Sequence, residues 1–86
     1  MKEKAIRVYF RHPETDAVLE AALSPETRFE ELDALLYAEG FVAPQKPGYA
    51  YLASGILCPA RHRLADYLPE GAEALELRVF GYPMVI

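Results

Sequence analysis

Residues 27–40 read TRFEELDALLYAEG and carry a complete set of helix signals. Thr27 is suited to cap the first turn, and Glu30, three positions later, can accept a hydrogen bond from the backbone amide of the cap. Gly40 is the residue type that most often adopts the left-handed conformation after the last turn of a helix. The sequence therefore predicts one long helix that begins at Thr27 and ends at Gly40.

The predicted helix has one apolar side, which needs one covering layer. The apolar residues at helical spacing are Phe29, Leu32, Leu35 and Leu36. Acidic residues lie mostly at the helix start or on its other side, where the helix dipole and water favour negative charge: Glu26, Glu30, Glu31 and Asp33. We therefore expect a helix packed on a single sheet, with a solvated acidic side rather than a carboxylate site.

Two strands that form a hairpin are expected before the helix. Residues 4–11 alternate between apolar and polar side chains, which is typical of a half-buried strand. The inward residues of this strand are Ile6, Val8 and Phe10. Turn-forming residues at positions 12–16 precede a second extended run, residues 17–23, whose Leu19 and Leu23 would face inward.

Three further strands are expected after the helix. Two prolines exclude continued helix in residues 41–48, which we interpret as a connecting loop. Aromatic residues favour a third strand at 49–53, a short strand follows at 56–57, and residues 64–68 look like a single buried turn. The last strand covers residues 74–80, and its inward residues are Leu75, Leu77 and Val79. The predicted order is strand, strand, helix, strand, short strand, strand.

Composition limits the compartment and the partners. The length of 86 residues fits one domain, and an apolar fraction of 52% is that of a globular protein. No apolar run approaches the roughly 20 residues of a membrane helix, so membrane insertion is not expected. The net charge is -4 and basic residues do not cluster, which argues against nucleic acid as a partner. A single cysteine, Cys58, and a start without an apolar leader predict a cytoplasmic protein.

Five short segments carry a resemblance to a known family. They are Thr27 at the start of the helix, Glu39-Gly40 at its end, Ala53-Ser54-Gly55 after the third strand, Leu64-Ala65-Asp66-Tyr67, and Leu75-Glu76-Leu77-Arg78-Val79. Their order and spacing, allowing small insertions, resemble ubiquitin and the β-grasp family over nearly the whole chain. The resemblance implies an α+β fold in which a mixed four- to five-stranded sheet wraps one diagonal helix.

The last residues depart from the conjugated members of that family. In ubiquitin and in sulfur carriers the chain ends in Gly-Gly, because the activated carboxylate must thread a narrow enzyme channel. Here the sequence ends Gly81-Tyr82-Pro83-Met84-Val85-Ile86. We therefore divide the chain into a ubiquitin-like domain, residues 1–81, and an apolar tail, residues 82–86. We expect the tail to dock on the domain's own sheet edge, on a second copy in a weak homo-oligomer, or on a partner.

In its length and its tail the chain is similar to non-conjugated members of the family, among them the bacterial YukD-like proteins of type VII secretion. This resemblance implies a non-catalytic protein–protein interaction module. Such a module would be an accessory component of a bacterial secretion system or a small subunit of a larger complex. The alternative is a ubiquitin-like modifier or sulfur carrier that requires C-terminal processing, which the tail disfavours.

Cys58 and His62 are the candidates for chemistry, because they lie four positions apart. A structural zinc ion needs four ligands, and His12 is the only other histidine. As a nucleophile and base, the pair lacks a third orienting group and an oxyanion hole. We expect no enzyme, no catalytic residue, no cofactor and no metal site.

Exposed aromatic and arginine side chains indicate a partner surface. They belong to the face of the sheet turned away from the helix, here called the open face, which binds partners in ubiquitin. The candidate partner-binding residues are Arg7, Tyr9, Arg11, Tyr49, Tyr51, Arg78 and Phe80. This combination is typical of interface hot spots. The alternative interpretation is simple cross-strand stabilisation.

Overall fold

A computed structural model of the protein describes residues 5–44 and 48–81. Its elements are β1 (Ile6–Arg11), β2 (Val18–Leu23), a 3-10 turn (Phe29–Glu31), α1 (Leu32–Ala38), β3 (Tyr49–Ala53), β4 (Ile56–Leu57), a second 3-10 turn (Leu64–Tyr67) and β5 (Ala74–Gly81). This order confirms the α+β prediction. The docking predicted for residues 82–86 lies outside the described residues.

The five strands form one mixed sheet in the order β2-β1-β5-β3-β4. The hairpin strands β1 and β2 are antiparallel, whereas β1 and β5 run parallel in the middle of the sheet. On the other side of β5, β3 and then β4 continue the sheet in antiparallel fashion. A parallel pair needs a long crossover connection, and the helical segment lies within it. The first and last strands of the domain therefore hold its centre.

The core lies between the helix and one face of the sheet. From the helical segment, Phe29 and Leu32 are 1% exposed and Leu36 is 0% exposed, whereas Leu35 is partly buried. In β1 and β5 the buried positions are Ile6, Val8, Phe10, Leu75, Leu77 and Val79, and the partly buried positions of β2 include Leu19 and Leu23. The predicted apolar stripe of the helix and the predicted inward residues of β1, β2 and β5 are confirmed.

The capping residue of the helical segment is Arg28, one position later than the predicted Thr27, and the segment starts less regularly than predicted. The backbone N–H of Arg28, rather than that of Thr27, donates to a side-chain carboxylate, and the acceptor is Glu31 at 3.1 Å. Arg28 itself is extended and forms an isolated β-bridge with Arg63. This bridge holds the chain outside the helix until Phe29.

Carbonyl groups of a distant loop complete the helix start. The backbone N–H of Phe29 donates to the carbonyl of His62 at 3.1 Å, and that of Glu30 donates to the carbonyl of Ala60 at 3.0 Å. The first turn is therefore a 3-10 turn, and the α-helix begins only at Leu32. The prediction of one continuous helix from Thr27 is therefore wrong at its start. The first backbone amides, which have no acceptor within the helix, donate to carbonyl groups of another part of the chain.

Gly40 ends the helix as predicted. Its φ of +70° is the left-handed conformation, and its N–H donates to the carbonyl of Tyr37 at 3.0 Å. The N–H of Phe41 reaches back to the carbonyl of Leu36 at 3.0 Å. These two bonds form a Schellman motif, which satisfies carbonyl groups that the helix leaves free.

Asp33 ties the helix to the start of β3. One carboxylate oxygen accepts a hydrogen bond from the backbone N–H of Tyr49 at 3.3 Å, and the other accepts one from the hydroxyl of Tyr51 at 2.6 Å. The chain passes so close to this carboxylate that a Cβ on Gly48 would lie 2.5 Å from Oδ2. Gly48 also has a φ of +108°, which side chains other than hydrogen rarely allow.

Among residues 5–44 and 48–81, no helix has both the length and the apolar character that crossing a bilayer requires.

We expect Leu36→Ala and Leu32→Ala each to lower the free energy of unfolding by about 2 to 5 kcal/mol, because each leaves a cavity in the core. Urea denaturation measures the change. Leu57→Ala is the control, since Leu57 is 47% exposed, and its cost should stay within about 0.5 kcal/mol. A loss below about 1 kcal/mol at both core positions would contradict the assigned core.

We expect Gly48→Ala to lower the free energy of unfolding by about 2 kcal/mol or more, because it combines an unfavourable φ with a clash. Gly71→Ala is the matched control, since Gly71 also has a positive φ but a Cβ there would meet nothing within 4 Å. That variant should cost about 1 kcal/mol. If both variants lose the same stability, the close approach to Asp33 does not require glycine.

Candidate interaction surface

The open face consists of the strand residues that alternate with the buried core positions. Its members are Val18, Glu20 and Ala22 of β2, Arg7, Tyr9 and Arg11 of β1, Ala74, Glu76, Arg78 and Phe80 of β5, Ala50 and Leu52 of β3, and Leu57 of β4. Five predicted partner-binding residues are on this face: Arg7, Tyr9, Arg11, Arg78 and Phe80. The structure confirms their position, and their role stays a prediction.

Tyr51 was predicted on the open face, and this position is wrong. Its side chain is 2% exposed and lies in the core, where its ring is 6.3 Å from that of Phe10 and 6.1 Å from that of Phe29. Burial, and next the hydrogen bond to Asp33, raise the pKa of the Tyr51 hydroxyl above its usual value. The hydroxyl therefore stays protonated and donates to Asp33, which allows a polar side chain to be buried.

Tyr49 is also on the helix side of the sheet, contrary to the prediction. Its ring makes an edge contact with the ring of Tyr37 on the helix, with 6.2 Å between the centroids. Its hydroxyl donates to the carbonyl of Ala43 at 2.6 Å. Because successive side chains of a strand alternate, both tyrosines of β3 point to the helix and Leu52 points to the open face.

The prediction missed Leu52 and Leu57 as members of the open face. Both lie in strands that were predicted correctly, and Leu52 pairs with Leu57 across the β3–β4 ladder. The alternation of β3 alone does not choose between its two faces, because tyrosine occurs both in cores and on surfaces. Only the contact between Asp33 and Tyr51 in the folded chain decides it.

Ion pairs cover the half of the open face formed by β2 and β1. Arg7 lies 3.8 Å from Glu20, and Arg11 lies 3.7 Å from Asp16 and 3.4 Å from Glu76. All of these side chains are substantially exposed, so each pair contributes little to stability. Their effect is local, because each arginine of this half has a carboxylate of the same chain within ion-pair distance.

The half formed by β5, β3 and β4 is different, because it combines apolar side chains with one arginine. The guanidinium of Arg78 lies 5.6 Å from the ring centroid of Phe80. Arg78 pairs in register with Leu52, and Leu52 pairs with Leu57, so the three form one row across three strands. In the described part of the chain, Arg78 has no carboxylate within ion-pair distance. We call Leu52, Leu57, Arg78 and Phe80 the apolar half.

A groove of about 510 Å³ runs along the same face. Leu52 and Arg78 line it together with Glu76 and Arg11. It is also lined by Ser54 and Gly55 of the turn after β3, by Tyr67 at the end of the second 3-10 turn and by Pro69 after it. The apolar half thus borders a concave surface large enough to receive side chains of another molecule.

Cys58 and His62 each have a different structural partner. Cys58 is 5% exposed, its Sγ donates to the carbonyl of Ile56 at 3.5 Å, and burial raises the pKa of its thiol to about 11. The Nδ1 of His62 is hydrogen-bonded to the hydroxyl of Tyr67 at 2.8 Å, and the two rings stack. Within residues 5–44 and 48–81, no group of three or more potential metal ligands comes together.

The fold is ubiquitin-like. Solved structures similar to this chain include a ubiquitin-based computational design, with a TM-score of 0.72 and 18% identity over 98% of this chain and 96% of the other. A structure from work on molecular mimicry of SUMO that promotes DNA repair has a TM-score of 0.71 and 11% identity, covering 94% and 96%. The ubiquitin-like domain of an Arabidopsis thaliana protein has a TM-score of 0.69 and 17% identity, covering 90% and 77%.

At these identities the similarity defines the class of fold, a ubiquitin-like β-grasp domain with a mixed five-stranded sheet and one helix. No family model matches the sequence, and no curated protein matches it.

We expect the Cys58 thiol of the folded protein to react with a disulfide reagent at pH 8 on the order of 100-fold more slowly than in the unfolded protein. The thiolate is the reactive form, and a pKa near 11 rather than 9.0 reduces its fraction by about that factor. The rate should rise as the pH approaches 11. The reaction is followed by absorbance with and without guanidinium, and equal rates at pH 8 would contradict the buried position.

Proposed function

We propose that this domain is a non-catalytic ubiquitin-like protein–protein interaction module and that it binds its partner through the open face. The observation that carries the proposal is the apolar half, where two exposed or half-buried leucines, a phenylalanine and an arginine lie together on a sheet. Arginine and aromatic residues are enriched in interface hot spots. An apolar group at the centre of an interface supplies most of the binding free energy when water is excluded.

The rigidity of the sheet supports this role. Arg78 lies between Leu77 and Val79, which are 0% and 1% exposed on the opposite face. The backbone under the apolar half is therefore anchored by the core and by ladders on both sides of β5. A surface held on packed strands loses little conformational entropy on binding, because its side chains start from fixed backbone positions.

The kind of partner follows from the surface, and the biological setting is proposed from the resemblance in sequence. A flat sheet face with a shallow groove suits a protein segment better than a small molecule, which needs a deeper pocket. By analogy with the YukD-like proteins, we place the module in the bacterial cytoplasm as an accessory component of a type VII secretion system. A small subunit of a larger complex would use the same surface.

We expect Leu57→Gln to reduce capture of native partners by about fivefold or more, because it removes an exposed apolar side chain from the apolar half. Capture is measured by quantitative mass spectrometry on extract of the source cells. Ile56→Gln is the matched control. Ile56 is the adjacent residue and is 59% exposed, but it pairs with buried Ala53 and therefore belongs to the helix side.

Equal capture by wild type, Leu57→Gln and Ile56→Gln would rule out the open face as the binding surface. If only Ile56→Gln lowers the capture of partners, the partner binds on the helix side of the sheet. The wild-type protein is also incubated with an E1-like activating enzyme and ATP. Formation of an adenylate or thiocarboxylate, detected by mass spectrometry, would replace the interaction module with a modifier or sulfur carrier.

A further inference from the structure

We infer that the apolar half recognises a protein segment that presents a carboxylate beside an apolar side chain, with Arg78 as the residue that receives the carboxylate. The inference rests on the proposed interaction function and assigns the chemistry of its partner. It follows from the ion pairs of the open face, from the position of Arg78, and from the row that Arg78 forms with Leu52 and Leu57.

Most of the described arginines already face carboxylates of the same chain. The pairs are Arg7 with Glu20, Arg11 with Asp16 and Glu76, Arg28 with Glu30, and Arg63 with Glu26. Within residues 5–44 and 48–81, only Arg61 and Arg78 have no such pair. Arg61 lies in the loop that meets the helix start. Arg78 is therefore the arginine of the open face that has no described carboxylate within ion-pair distance.

Phe80 holds the guanidinium of Arg78 in place. A cation at 5.6 Å from a ring centroid is attracted to the ring face, and the ring restricts the side chain without using the N–H groups of the guanidinium. Those N–H groups stay available in a planar fork that matches a carboxylate in two parallel hydrogen bonds. A guanidinium that is already oriented loses less conformational entropy when a carboxylate binds.

The two leucines define what lies next to the carboxylate. Neighbouring strands are about 4.8 Å apart, so Leu52 and Leu57 follow Arg78 at roughly one and two strand spacings. A ligand that fills the whole row carries its carboxylate about 5 to 10 Å from its apolar group. An aspartate or glutamate close in sequence to a leucine or isoleucine satisfies this spacing in an extended or a helical segment.

The negative net charge of the protein does not oppose this assignment. The charge of -4 acts at long range, and at physiological salt the field of exposed charges is screened beyond about 8 Å. At contact distance the carboxylate meets Arg78, whereas Glu76 and Asp16 each lie within ion-pair distance of Arg11. Local charge complementarity therefore decides which ligand binds, and the net charge only slows the encounter.

The test is selection of a random dodecapeptide library, displayed on phage, against the immobilised wild-type domain. We expect enrichment of sequences in which Asp or Glu lies within four positions of Leu or Ile. A selected peptide and its amide counterpart, with Asn or Gln in place of the acid, are then synthesised. Fluorescence anisotropy should show about tenfold weaker binding of the amide peptide to the wild-type domain.

The same peptides are measured with Arg78→Gln and with Arg61→Gln as the matched control. Arg78→Gln should weaken the acidic peptide about tenfold and remove the difference between acid and amide, whereas Arg61→Gln should change affinity by less than about twofold. Amide NMR spectra verify that both variants are folded and that shifts map to residues 52, 57, 78 and 80.

Three results would overturn the inference: a selection without binding peptides, selected sequences without an acid, or equal binding of the acidic peptide by Arg78→Gln and wild type. The proposed function fails separately, through equal capture of native partners by Leu57→Gln and wild type. If Leu57→Gln loses native partners while the selected peptides carry no acid, the open face binds a partner of other chemistry, and only the inference is wrong.

Discussion

The hydrogen bonds of the Asp33 carboxylate determine which side of β3 faces water. Asp33 accepts from the hydroxyl of Tyr51 at 2.6 Å and from the backbone of Tyr49 at 3.3 Å. With this acceptor present, burial of the Tyr51 ring gains apolar contacts without leaving an unsatisfied hydroxyl, which would otherwise cost roughly 1 to 3 kcal/mol. Because side chains alternate along a strand, the inward position of Tyr51 places Leu52 on the open face. One carboxylate on the helix thus selects which side chains of β3 lie on the open face.

The open face consists of two halves of different chemistry. On β2 and β1, arginines and carboxylates pair with each other, and the surface is polar and balanced. On β5, β3 and β4, Arg78 has an aromatic neighbour and a row of leucines instead. The parallel β1–β5 ladder joins the halves, so the apolar half lies beside the ion pairs of Arg11. Of the described arginines on this face, Arg78 is the one whose guanidinium has no carboxylate within ion-pair distance.

The helix start illustrates how distant contacts change a local signal. Thr27 and Glu30 have the residue types of a capping box, but the carbonyl of Thr27 accepts from Leu64, and Arg28 pairs with Arg63. The carbonyl groups of Ala60 and His62 then satisfy the first amides of the turn. Side-chain capping is therefore provided by Glu31, which accepts from the N–H of Arg28, and not by Glu30. The loop before the second 3-10 turn therefore takes over part of the role that the sequence pattern assigns to Thr27, and it connects the helix start to the far end of the sheet.

The sequence by itself determined the order of the elements, the strands β1 and β5 with their inward residues, the apolar stripe and the end of the helix at Gly40. These features depend on periods of two or about 3.6 residues and on a glycine conformation, which neighbouring residues specify. Only the tertiary structure decided the direction of Tyr49 and Tyr51, the beginning of the helix and the absence of a carboxylate beside Arg78 among the described residues. The alternation in β3 allows Tyr49 and Tyr51 to lie on either face of the sheet, because tyrosine occurs both in cores and on surfaces. Contacts such as Tyr51 with Asp33 and Arg11 with Glu76, 18 and 65 positions apart, settled these features. Such pairs cannot be read from the sequence, because the partners are far apart along the chain and meet only when it has folded.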